Sequence, residues 1–122
     1  MLKRVLVIED DLLNRMMLCA VLREGGYQVE EVVDERLTLK EVEEFGPDLI
    51  VLDIHLPHIS GIDIIKLLKS NVRLRDIPVL AVTGFVGRGA EFKVRSAGAS
   101  GYLAKPVSMK PFLETVGGLI AA

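Results

Sequence analysis

Cysteine is all but missing from the sequence: Cys19 stands alone, so no internal disulfide can form and packing has to hold the fold together. No apolar stretch reaches membrane length. The start, Met1-Leu2-Lys3-Arg4-Val5-Leu6-Val7-Ile8, meets Glu9-Asp10-Asp11 after a run of four apolar residues, which is too short for a secretory leader. A cytoplasmic protein without membrane contact is therefore expected. Neither sign of charge dominates, since 15 Lys and Arg against 17 Asp and Glu leave a net charge of -2. That balance gives no footprint for a phosphate backbone, so direct binding to nucleic acid is not expected. Linkers, repeats and low-complexity tracts are also lacking, and 122 residues read as one domain over 1–122 without an output domain.

What the chain does have is apolar sequence, 50% of its residues, cut into short runs. Leu49-Ile50-Val51-Leu52, preceded by Gly46-Pro47-Asp48, reads as a strand buried on both faces and delivers Asp53 at its carboxyl end. Val5 to Ile8 is a first strand of the same kind. Tyr27 to Val33, with Glu30 and Glu31, reads as an edge strand; Ile77 to Val82 is a fourth strand and Tyr102 to Ala104 a short fifth. Helices are predicted between them, over Leu12–Glu24, Glu35–Phe45, Gly61–Ser70, a late-starting one from Ala90 to Ala97, and Met109–Ile120.

Several details of these helices are testable. Gly25-Gly26 are expected as left-handed caps, Asp34 and Ser108 as N-caps, and Gly117-Gly118 as a frayed end. In the first helix Met17, Leu18, Val21 and Leu22 should face the sheet, leaving Leu12, Leu13, Met16 and Ala20 as an exposed apolar stripe. In the second, Leu37, Val42 and Phe45 are available for burial. Gly87 and Gly89, each unfavourable by roughly 1 kcal/mol inside a helix, put a flexible loop before Ala90. Strands alternating with helices in so short a chain give a flavodoxin-like, doubly wound (βα)5 fold with a five-stranded parallel sheet in the order 2-1-3-4-5.

In that topology Glu9, Asp10, Asp53, Thr83 and Lys105, each at the end of an apolar run, converge on one sheet edge. Carboxylates packed within about 5 Å repel by roughly 3 kcal/mol per pair at an effective dielectric near 20, so a cation should fill the site. Oxygen ligands without histidine-rich or cysteine-rich spacing select a hard dication, Mg²⁺ foremost. Asp53 beside such an ion is competent to accept a phosphoryl group, with Lys105 as a positive charge and the Thr83 hydroxyl as a donor. Blander readings stay open residue by residue: Asp53 as a turn-former, Asp11 as a helix cap, Thr83 as a turn residue, Lys105 as a solvated lysine. None of them explains why these residues fall together at four strand ends.

Along its whole length the chain resembles a response-regulator receiver domain. The likeness is carried by Val7-Ile8-Glu9-Asp10-Asp11, Asp53-Ile54-His55-Leu56-Pro57 with Ser60-Gly61, Val82-Thr83-Gly84, Ala97-Gly98-Ala99 and Tyr102-Leu103-Ala104-Lys105-Pro106. Val82-Thr83-Gly84-Phe85, Pro106-Val107-Ser108 and Phe112-Leu113-Glu114-Thr115-Val116 are similar to stand-alone DivK-type receivers. The resemblance implies Asp53 as phosphoacceptor, and Mg²⁺ (or Mn²⁺) held by Glu9, Asp10, Asp53 and the backbone carbonyl of His55. It further implies Thr83 and Lys105 on the phosphoryl group, Tyr102 as a switch aromatic coupled to Thr83, and a cis peptide at Lys105-Pro106. Three positions depart from the family pattern: His55 stands where a polar amide is common, Gly84 where alanine is usual, and Arg88-Gly89-Ala90-Glu91 lacks an acidic run.

The expected function is that of a single-domain response regulator, not an enzyme acting on external substrates. It would take its phosphoryl group from a sensor histidine kinase or a histidine phosphotransfer protein docked on Leu12, Leu13, Met16 and Ala20. A downstream target would bind the face made by the fourth helix, fifth strand and fifth helix, with the chain a monomer or weak dimer. The alternatives are a phosphorylation-independent adaptor and a small Mg²⁺-dependent phosphohydrolase. Against the second, no acid lies two residues after Asp53 to protonate a leaving group.

Overall fold

Strict alternation along the buried strands divides the core in two, because successive side chains leave a strand on opposite faces. The computed structural model describes residues 1–122. Its strands are β1 (Arg4–Ile8), β2 (Gln28–Val32), β3 (Leu49–Leu52), β4 (Val79–Thr83) and β5 (Gly101–Ala104). Its helices are α1 (Leu12–Glu24), α2 (Thr38–Phe45), α3 (Gly61–Ser70), α4 (Ala90–Ala97) and α5 (Met109–Ala121). All strand pairs are parallel and the order is β2-β1-β3-β4-β5, as the alternating pattern predicts.

Val5, Val7, Leu49, Val51, Leu80 and Val82 point to one face, where Leu18 and Leu22 of α1 and Phe112 and Val116 of α5 cover them. Leu6, Ile8, Ile50, Leu52, Val79 and Ala81 point to the other, under Val42 of α2, Ile65 and Leu68 of α3 and Val94 of α4. No helix is long and apolar enough to cross a membrane.

The structure corrects several local expectations. Met17 is 39% exposed, and Cys19 takes the predicted place in the core. Both lie about 100° from Leu18 on the helical wheel, on opposite sides, so tertiary packing and not periodicity decides between them. Gly25 is right-handed, and Gly26, at φ 95°, is the left-handed residue. The predicted helix over Glu35–Phe45 is split: a single 3-10 turn, Glu35–Leu37, capped by Asp34, precedes α2, and Leu37 is exposed. Ile77 and Pro78 fall outside β4, and Thr83 closes it.

Ser108 occupies the N-cap position of α5 but its hydroxyl makes no capping bond; only its carbonyl accepts, from the Phe112 amide at 3.1 Å. α5 runs through Gly117 and Gly118 to Ala121, because burial of Phe112 and Val116 outweighs the weak propensity of two glycines. Phe112 is 1% exposed, so Phe112→Ala should lower stability by about 3–5 kcal/mol. Phe92→Ala, at a side chain 76% exposed, should change it by about 0.5 kcal/mol or less; urea unfolding of the two variants checks the contrast.

Candidate functional site

Register brings the acids together. Ile8 of β1 pairs with Leu52 of β3, so the residues that follow, Glu9 and Asp53, leave adjacent strands side by side. Thr83 ends β4 and pairs with Ala104 of β5, which puts Lys105 one step further along the same edge. The ammonium of Lys105 lies between the two carboxylates, 2.9 Å from Asp53 Oδ2 and 2.6 Å from Glu9 Oε2. Asp53 is 6% exposed and Glu9 2%.

Asp53 is the better satisfied of the two. Oδ2 accepts from Lys105 and Oδ1 from the His55 amide at 3.2 Å. Burial raises its pKa, but the Lys105 and Thr83 hydrogen bonds and the Lys105 charge outweigh burial, and the carboxyl titrates below an ordinary aspartate. Glu9 accepts from the Asp11 amide through Oε1 at 3.1 Å, while Oε2 meets Lys105 only as an ion contact and has no hydrogen-bond partner. Burial therefore dominates at Glu9, and its carboxyl is pushed up to about 7. For Lys105, burial works downward and the two carboxylates work upward more strongly, so it stays an ammonium.

The donor set fits a hard dication. Glu9, Asp10 and Asp53 each offer a carboxylate oxygen, and the three lie within 4.8 Å of one another. The two buried acids share the single Lys105 ammonium, which leaves one negative charge uncompensated, and Asp10 adds another exposed towards solvent. Oxygen-only ligands that leave an open side suit Mg²⁺, which keeps several of its waters.

Phe85 was not singled out by the sequence as a site residue, yet Thr83 and Tyr102 both hold it. The buried Thr83 hydroxyl accepts from the Phe85 amide at 2.9 Å, and the Tyr102 hydroxyl donates to the Phe85 carbonyl. The Phe85 ring meets His55 edge-on with centroids 5.3 Å apart. Arg15 is a second omission. Its guanidinium donates to the Glu9 carbonyl at 2.9 Å and to Glu31 at 3.2 Å, steadying the acidic turn from the side of β2. No pattern in the sequence reveals them, since the Phe85 bonds and the Arg15–Glu9 bond each join a side chain to a backbone group.

Behind the acceptor, a Cβ on Gly61 would come within 2.5 Å of the Asp53 carbonyl and 2.6 Å of Ile54 Cα. Only glycine lets α3 start that close, and Ser60 caps it by accepting from the Ile62 amide. The Lys105-Pro106 peptide is cis. Leu12, Leu13, Met16 and Ala20 are exposed on α1, as expected. Beside them a cavity of about 400 Å³ opens between α1 and the segment after β5, lined in part by Met17, Lys105, Pro106 and Val107.

The raised pKa of Glu9 has a definite sign in stability. A carboxyl at 4.5 when unfolded and about 7 when folded binds its proton more tightly in the folded state. Its contribution is full below pH 4.5 and fades as pH rises to about 7, by up to about 3 kcal/mol. Urea midpoints measured across that window without divalent ions should fall in the wild type and lose this slope in Glu9→Gln.

Comparison with known proteins agrees with this geometry. The family described as response regulator receiver domain matches residues 5–117. The polar-differentiation response regulator DivK of Brucella ovis is 38% identical over 116 residues, covering 95% of this chain and 94% of DivK. Chemotaxis protein CheY4 of Vibrio cholerae superposes with a TM-score of 0.90 at 25% identity, over 98% of this chain and 99% of that one. A CheY-like receiver domain protein from Methanospirillum hungatei also gives 0.90, at 26% identity over 99% and 95% of the two chains. The chain, with its five-strand order and its acids gathered at one rim, belongs to the response-regulator receiver domains of two-component signalling.

Proposed function

We propose that this receiver accepts a phosphoryl group on Asp53 from phosphohistidine of a sensor kinase or phosphotransfer protein, and passes the signal on by binding a target protein. The observation that carries this reading is the Lys105 ammonium shared by Asp53 and Glu9, with Asp10 adjoining. In the transfer a carboxylate oxygen of Asp53 attacks phosphorus as the P–N bond breaks. The bond's electron pair stays on the ring nitrogen of the donor's imidazole, which leaves neutral with the proton it carries on its other nitrogen. The lowered pKa of Asp53 keeps it in the attacking, ionised form. Mg²⁺ held by Glu9, Asp10, Asp53 and the His55 carbonyl supplies positive charge to the phosphoryl oxygens. Lys105 adds a second positive charge from the β5 side, and its short reach to Asp53 keeps it beside the bond being made.

The Thr83 hydroxyl accepts from the Phe85 amide and directs its own proton towards Asp53, from which that bond can pass to a phosphoryl oxygen. Drawing Thr83 towards the new phosphate pulls on Phe85, and through the Phe85 carbonyl on Tyr102 of β5. The face of α4, β5 and α5 is thereby biased between two arrangements, the element that a phosphorylation switch requires. The exposed apolar stripe of α1 suits the helices of a phosphodonor, and the cavity between α1 and the segment after β5 has Lys105, the partner of Asp53, in its wall.

Acetyl phosphate with Mg²⁺ should add one phosphate to the wild type and none to Asp53→Asn, read by intact mass. No addition to the wild type would instead support a phosphorylation-independent adaptor. Met16→Glu should slow transfer from the protein donor by about tenfold while leaving labelling by acetyl phosphate unchanged. Equal loss with both donors would remove α1 as the docking face.

A further inference from the structure

Outside the acidic rim the chain buries one more carboxylate, Glu35, 3% exposed and without a cation in salt-bridge range. Its neighbour Arg36 is turned away, gripping Asp34 through Nε and Nη2. Oε1 of Glu35 accepts from the His58 amide at 2.6 Å, across 23 residues of sequence. His58 lies in the loop that leaves Asp53 and runs to Ser60. Leu56 and Ile59 lean on the core from this loop, but between Leu56 and Ile59 the His58 amide is the one backbone group with a hydrogen bond.

The mount on the other side is firm. Asp34 caps the 3-10 turn through the Arg36 amide at 3.0 Å, the Leu37 amide bonds the Asp34 carbonyl, and the buried Thr38 hydroxyl bonds the Glu35 carbonyl at 2.6 Å. A buried acid on a rigid turn, spending its charge on a single loop amide, acts as a brace. A metal reading of the same group is weaker. Asp34, Glu35 and His58 offer ligand atoms within 4.8 Å, yet both Asp34 oxygens are taken by Arg36 and Oε1 of Glu35 by the His58 amide.

We propose that Glu35 is a positioning residue for the acceptor site: by holding the loop at His58 it fixes the path of the chain through His55, and so sets the affinity for Mg²⁺. The inference rests on the reading of Asp53 and its acids given above. His55 is tied to the site at one end, its amide on Asp53 Oδ1, and to the brace three residues on. With both ends held, the His55 carbonyl is presented without an ordering penalty when the ion arrives; with the brace gone, that ordering has to be supplied on binding.

Titration calorimetry with Mg²⁺ alone tests this on the full chain, each variant being shown folded by circular dichroism and urea unfolding. Glu35→Ala, which removes the acceptor, should weaken Mg²⁺ by about tenfold, the lower end of what outer partners of metal ligands contribute. Glu35→Asp keeps the charge but shortens the reach, and should lose as much. Glu35→Gln keeps an oxygen for the His58 amide and should stay within about threefold of the wild type. If Glu35→Ala fails to fold, the Asp and Gln pair still decides. A merely structural role would lower the urea midpoint of Glu35→Ala or Glu35→Asp and leave the Mg²⁺ affinity of the folded protein within about twofold, which overturns the proposal. Glu35→Gln binding as poorly as Glu35→Asp overturns it too. Wild-type protein that takes up no Mg²⁺ removes the reading of the site itself, whereas wild-type uptake matched by every variant removes Glu35 alone.

Discussion

One ammonium set between two buried carboxylates governs the whole rim of the sheet. At an effective dielectric near 20, each of the Lys105 contacts is worth about 5–6 kcal/mol of gross attraction, while the two acids repel each other by about 3. Withdrawing three charges from water offsets most of that gain, so the cluster adds little net stability. What it does fix is geometry. Lys105 comes from β5, Glu9 from β1 and Asp53 from β3, and their meeting requires strands from the centre and one edge of the sheet to end in register. The cluster still carries one excess negative charge before Asp10 is counted, two carboxylates sharing one ammonium, and it is this surplus that a dication would relieve.

The surplus also separates the two buried acids chemically. Asp53 has directed donors on both oxygens and stays ionised; Glu9 has one donor and deep burial, and holds its proton to about 7. Near neutral pH an ion-free site can therefore shed part of its repulsion by protonating Glu9 while keeping Asp53 charged. An ion that requires the Glu9 carboxylate must displace that proton, which couples metal uptake to proton release.

Strand ends were legible in the sequence because each functional residue follows an apolar run, and a parallel sheet aligns such ends without further instruction. The same reasoning gave α1, α3 and α4 their boundaries, where caps and glycines coincide with the end of a pattern. It failed where two residues flank the buried stripe at equal angles on the helical wheel, as Met17 and Cys19 do either side of Leu18, and where burial overrides propensity, as in α5 through Gly117-Gly118. Phe85, Arg15 and Glu35 were illegible for another reason. Each takes part in a hydrogen bond between a side chain and a backbone group, near or far along the chain, and backbone groups leave no mark in a sequence.

These contacts are distributed unevenly around the site, and the unevenness is what a switch needs. On the side of β1, β2 and α3, Arg15 ties the acidic turn, Glu35 ties the loop after Asp53, and Gly61 seats a capped helix directly behind the acceptor. On the side of β4 the chain leaves through Gly84, Gly87 and Gly89, and α4 begins at a left-handed glycine with no side-chain cap. Phe85 is held there by two hydroxyls, those of Thr83 and Tyr102. A local rearrangement follows the path with the least holding it, so a charge added at Asp53, as proposed above, would meet a fixed wall on one flank and a yielding one on the other. On that reading displacement would be directed towards α4 and β5, while the half that holds Glu9, Asp10 and Asp53 keeps its shape.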